Sequence, residues 1–128
     1  MESAYEHWSR QLRGIAPDTL LQSWEVKSRS SASWTLDAAY HLAVAERFRR
    51  IGNMALDLSD IERQNMCRRG ETILARLRAA LADDPRRLAI VDAIVDRANN
   101  YYRTYGSRSA RHYMFERGVI DSLGTPLG

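Results

Sequence analysis

The chain has 128 residues, 45% hydrophobic and 27% charged, which is the length and composition of one globular domain. Seven glycines and three prolines exclude collagen-like, mucin-like and low-complexity compositions. No apolar run approaches the roughly 20 residues that cross a bilayer. The net charge is +3, and Lys27 is the one lysine among 19 basic residues, the rest being arginine. GC-rich codons account for such a bias as readily as chemistry does, so its distribution matters more. Residues 1–34 and 35–84 are each neutral, and the whole excess lies in 85–128, with seven basic residues against four acidic ones. The opening Met1–Glu6 lacks the basic-then-apolar pattern of a leader. Cys67, the single cysteine, excludes an internal disulfide, so a reducing, cytoplasmic setting is expected. Arg68 and Arg69 beside it would favour the thiolate, but a packed apolar cysteine is the simpler reading.

Helical periodicity runs through the chain, and strand alternation is missing. Tyr5, Trp8 and Leu12 predict a short helix over about 3–13 with Gly14 as its stop. Ala16-Pro17-Asp18 starts a second, with Leu20, Leu21 and Trp24 as its apolar side. Residues 28–34 read as a flexible serine-rich loop, because serine side chains compete for backbone hydrogen bonds and fill no core. Ser33 or Thr35 then caps a helix whose stripe is Leu36, Tyr40, Val44, Phe48 and Ile51. Ala39, Leu42, Ala43 and Ala45 widen that stripe nearly all round, as in a central buried helix. Gly52-Asn53 is its expected end.

Ser59-Asp60-Ile61-Glu62 is a capping-box pattern. It opens a helix to about Leu81, with Ile61, Met66, Ile73, Leu74 and Leu77 on one side. Glu62, Arg69, Arg76 and Asp83 share a solvated face. Gly70 in mid-helix costs about 1 kcal/mol against alanine, and close approach of another helix would explain it. Asp84-Pro85 starts the next helix, which carries Leu88, Val91, Ile94, Val95, Ala98, Tyr101, Tyr102 and Tyr105 to a stop at Gly106. A weaker last helix spans about 109–123, followed by a tail at 124–128. The expected fold is a single all-α domain over 1–128. It is a compact bundle of five to six helices, with three long central antiparallel ones and shorter terminal ones.

Recognised catalytic and nucleotide-binding signatures are absent: no GxGxxG, no GxxxxGK[ST], no GxSxG, no HExxH and no EF-hand loop. Asp37 with His41, and His112 with Glu116, stand four apart on helices. Each pair is half a metal site at most, and ordinary histidine–carboxylate contacts explain both. No metal or cofactor is therefore expected. His41, on a mostly apolar helix, is the best single acid–base candidate, and a satisfied core histidine is the plainer alternative. Ala45–Gly52 resembles the first helix of a helix-turn-helix, but Asn53–Leu58 is too long for that motif's turn.

Two features point to binding. Arg97, Arg103, Arg108, Arg111 and Arg117 interleave with Tyr101, Tyr105 and His112, a mixture that suits phosphates and exposed bases. The same tyrosines would also complete a packed stripe. Trp24 and Trp34 lie in short N-terminal elements, where tryptophan serves either as a core pin or as an exposed anchor for a partner. The expectation is a non-enzymatic binding protein that occupies a protein or nucleoprotein partner, in the manner of a bacterial or phage-type inhibitor or accessory factor. Direct nucleic-acid regulation through 97–117 is the alternative. Pairing of the long stripes across a homodimer two-fold stays open.

Overall fold

The computed structural model describes residues 2–29, 33–55 and 57–105, with side chains to Arg103. It is an all-α bundle of six helices among the described residues: α1 (Ala4–Leu12), α2 (Pro17–Lys27), α3 (Ser33–Leu36), α4 (Ala38–Met54), α5 (Asp60–Ala80) and α6 (Pro85–Tyr105). Local chemistry sets most of the starts. Ser3 and Glu6 form a capping box on α1, and Ser59 with Glu62 form the one anticipated on α5. Pro17 sits in the first turn of α2. The Asp84 carboxylate accepts from the Arg87 amide at 3.2 Å to open α6. Gly14, at φ +84°, turns the chain from α1 into α2 where a side chain would be strained.

The core is centred on α4. Leu42, Val44, Ala45 and Phe48 are buried there among Tyr5 of α1, Leu20 and Trp24 of α2, Ile73, Leu74 and Leu77 of α5, and Ile94 of α6. Each large apolar side chain so buried contributes about 1.5–3 kcal/mol. The widest contact is between α4 and α5, and two glycines make it. A Cβ on Gly70 would lie 2.7 Å from the Ala45 carbonyl oxygen, and one on Gly52 would lie 2.7 Å from that of Arg63 and 2.8 Å from the Cys67 amide. Gly70 therefore acts as the close-approach residue its mid-helix position implied. The contacts pair later residues of α4 with earlier ones of α5.

Several expectations require correction. Gly52 does not end α4, which runs on to Met54; it is a packing residue. Ser33 and Trp34 are helical rather than part of a loop, because α3 is pinned by Trp34, which is 3% exposed. The Ser33 hydroxyl donates to the Lys27 carbonyl at 3.3 Å, and Asp37 is the N-cap of α4. Leu36 and Ile61 are 80% and 72% exposed, so neither joins the core stripe assigned to it. Residues 30–32 of the serine-rich stretch, Gly106, the helix at 109–123 and the tail at 124–128 lie outside the described residues. No helix among the described residues is long and apolar enough to cross a membrane.

Candidate functional site

Helical spacing sorts the side chains of α5 onto two faces. Gly70, Ile73, Leu74 and Leu77 are buried toward the core. Ile61, Asn65, Arg68, Thr72 and Arg76 recur at four, three, four and four on the other side, so they form one stripe along the helix. Where this stripe passes α2 there is a groove of about 410 Å³, lined by Leu21, Trp24, Asn65, Arg68, Arg69, Thr72 and Ile73. Its floor is apolar and its rim basic and polar. No carboxylate lines it.

Along α5, Arg68 and Arg69 of the rim and Arg76 beyond it differ from Arg63 and Arg78 in their pairing. Arg10 pairs with Glu2, Arg49 with Glu46 and Glu71, Arg63 with Asp60, Arg78 with Asp92 and Arg87 with Asp84. Arg68, Arg69 and Arg76 form no ion pair among the described residues. Arg69 lies against the Met66 sulfur at 3.8 Å. Arg76 stacks over Trp34 and Trp24, at 4.8 and 5.6 Å from the ring centres.

The floor is held from behind. The Trp24 indole N–H donates to Nδ1 of His41 at 3.2 Å, and Trp34 stacks on the His41 ring at 3.9 Å and 12°. His41 is fully buried, and its Nε2 has no hydrogen-bond partner among the described residues. Burial lowers its pKa to about 4, against a smaller upward pull from Asp37. It is therefore neutral at pH 7 and lines neither the groove described above nor a second, smaller apolar one between Ala4, Leu42 and Val91. The acid–base candidate of the sequence is thus a core acceptor for Trp24. Cys67 is half-buried, and burial raises its thiol pKa against the opposing pull of Arg49. The arginines that act on it are Arg49 and Arg63 rather than Arg68 and Arg69 beside it in sequence, and desolvation outweighs them. No cluster of three metal-ligating side chains occurs among the described residues.

Trp24 and Trp34 are 7% and 3% exposed, the burial of core pins rather than of exposed anchors. Both rings are large apolar surfaces that this small bundle uses to close its core around His41. Tyr101 is 6% exposed and unavailable for stacking on a base, while Arg97 and Arg103 are exposed on α6. The Tyr105 side chain, Arg108, Arg111, His112 and Arg117 lie outside the described residues. Sequence reasoning passed over Asn65, Arg68, Thr72 and Arg76. Their signal was a helix stripe carrying arginine and no acid, hidden by the eight acidic residues that offset the eight arginines of 35–84. No protein-family description, curated protein or solved structure matches this chain.

Proposed function

We propose that this protein acts by binding, occupying an anionic surface of a partner protein as an inhibitor or accessory factor. The observation that supports this is the row of Arg68, Arg69 and Arg76 on α5, left without carboxylate partners in a chain whose other α5 arginines, Arg63 and Arg78, are paired. Unpaired guanidinium groups beside an apolar floor speed encounter with an acidic partner and select against basic ones. A reducing, cytoplasmic setting belongs to this reading and agrees with the free thiol of Cys67.

The test is capture of partners by the tagged chain from a lysate of its source cells, with and without nuclease. The Arg68→Glu/Arg69→Glu double variant is compared with Arg86→Glu, an exposed change on α6. A partner protein retained after nuclease, lost in the double variant and kept by Arg86→Glu is the expected result. Recovery that disappears with nuclease, or is equal in all variants, refutes the reading. The first of these outcomes would move function to nucleic acid and to exposed Arg97 and Arg103 of α6.

A further inference from the structure

We propose that the groove between α2 and α5 docks an acidic peptide segment of the partner, with Arg68 and Arg69 pairing its carboxylates and the Leu21–Trp24–Ile73 floor receiving an adjacent apolar side chain. This rests on the binding reading above and specifies the occupant. The groove, at about 410 Å³, has the size of sites that enclose a few side chains. Its two halves ask for two chemistries at once. The guanidinium forks match carboxylate geometry and lack an internal carboxylate to satisfy them. The floor needs an apolar group to exclude water. The same helix stripe extends one turn earlier to Ile61, 72% exposed, and one turn later to Arg76. An extended contact along α5 would therefore meet an apolar residue at one end and a cation at the other.

The floor is also preformed. Trp24 is fixed by its bond to His41 at 3.2 Å and by edge contact with Trp34 at 5.9 Å, so binding need not order it. The burial of that ring argues against a nucleic-acid strand. A strand needs flat rings open to its bases, and Trp24 is 7% exposed.

The test uses the full chain, immobilised, against a random peptide display library. Enriched peptides should carry Asp or Glu next to Leu, Ile or Phe. An enriched peptide, fluorescently labelled, is then titrated against wild type, Arg68→Glu, Thr72→Trp and Arg86→Glu, each checked for fold by circular dichroism. Thr72 is exposed on α5, so tryptophan there fills the groove without entering the core. We expect binding about tenfold weaker or worse in Arg68→Glu, the scale of one lost charge-assisted contact, and at least as weak in Thr72→Trp, where the ring occupies the groove, with no change in Arg86→Glu. Three results overturn the proposal: no enrichment, enriched peptides without acidic residues, or indifference to Thr72→Trp. A single-stranded oligonucleotide that binds equally well and is lost in the same two variants also overturns it. The lysate capture separates the two levels. If the Arg68→Glu/Arg69→Glu variant loses the partner and Thr72→Trp keeps it, the binding reading stands and the groove does not. If neither variant affects capture, both fall.

Discussion

The two halves of α4 bury polar side chains by different means. Near its start, His41 is enclosed by Trp24, Trp34 and Tyr40, and its ring accepts the Trp24 N–H. Further along, Glu46, Arg49 and Arg50 are 1–6% exposed. There Arg49 reaches Glu46 at 2.6 Å, Glu71 at 3.1 Å and the Asn99 side chain. The first half is a neutral, aromatic solution and the second an ionic one. Burial pushes Glu46 above the usual carboxylate range even though Arg49 opposes it, so the ionic half depends on every partner staying in place.

The largest effect should come from breaking the ionic half. Arg49→Ala would leave the buried Glu46 carboxylate without its hydrogen-bonded partner and with only the Arg50 charge to oppose its burial, at a cost of about 3 kcal/mol in urea unfolding. Glu71 is mostly exposed and adds little to that sum. Glu46→Gln keeps a hydrogen-bonding oxygen for Arg49, whose charge still pairs with Glu71 at 3.1 Å, so it should cost clearly less. Equal losses in the two variants would show that the charge is not what matters there.

The aromatic half should reveal itself through pH. Folded His41 titrates at about 4, held down mainly by burial, while an unfolded histidine titrates near 6.5. As pH falls, the unfolded chain takes the proton first. The His41 contribution is whole above about pH 6.5, is eroded through the interval below it, and by about pH 4 has fallen by roughly 3 kcal/mol. In His41→Gln, whose amide oxygen can accept the Trp24 N–H, that part of the slope should vanish. The check is the difference in unfolding free energy between wild type and variant at pH 7 and pH 4.5. A constant difference would refute the assignment.

Gly70→Ala probes the interface that the ionic half shares with α5. Alanine favours the helix by about 1 kcal/mol. However, its Cβ would meet the Ala45 carbonyl oxygen at 2.7 Å and the Arg49 amide at 3.2 Å. Backbone cannot swing aside as a side chain does, so α4 and α5 must separate. Overpacking of that kind costs about 1–3 kcal/mol. Thermal melting should therefore show net destabilisation, and a raised melting temperature would mean the helices already have room.

Helix identity was legible because it rests on local signals. The Ser59–Glu62 box, Pro17 and the Asp84-Pro85 pair each set a start from neighbouring residues alone. Leu36 and Ile61 were misread because periodicity assigns a face and cannot say whether a neighbour reaches that end of it. The candidate site was mostly illegible. Some arginines pair locally, as Arg63 does with Asp60, but others find partners far along the chain, as Arg78 finds Asp92 and Arg49 finds Glu71, whereas Arg68 finds none among the described residues. The tryptophans show the same limit, since composition marks them as useful and only packing decides that Trp24 and Trp34 face inward.

The smallest effect concerns how α5 delivers its first turn to the ionic half. Ser59 accepts from the Glu62 amide at 3.2 Å, and the Glu62 carboxylate accepts from the Ser59 amide at 3.3 Å. Just inside that cap, Asp60 pairs with Arg63, whose carbonyl lies against Gly52 of α4. Ser59→Ala removes one half of the box and should cost about 1 kcal/mol, as caps generally do. The loss should appear locally before it appears globally. Amide exchange should quicken at Ser59, Glu62 and Arg63, whose N–H groups are bonded within the cap, while Ile73 and Leu77 stay protected, because those later turns are held by core burial rather than by the cap. Uniform quickening along α5 would instead mean that the helix opens as one unit, and that the groove and the ionic half cannot be perturbed separately.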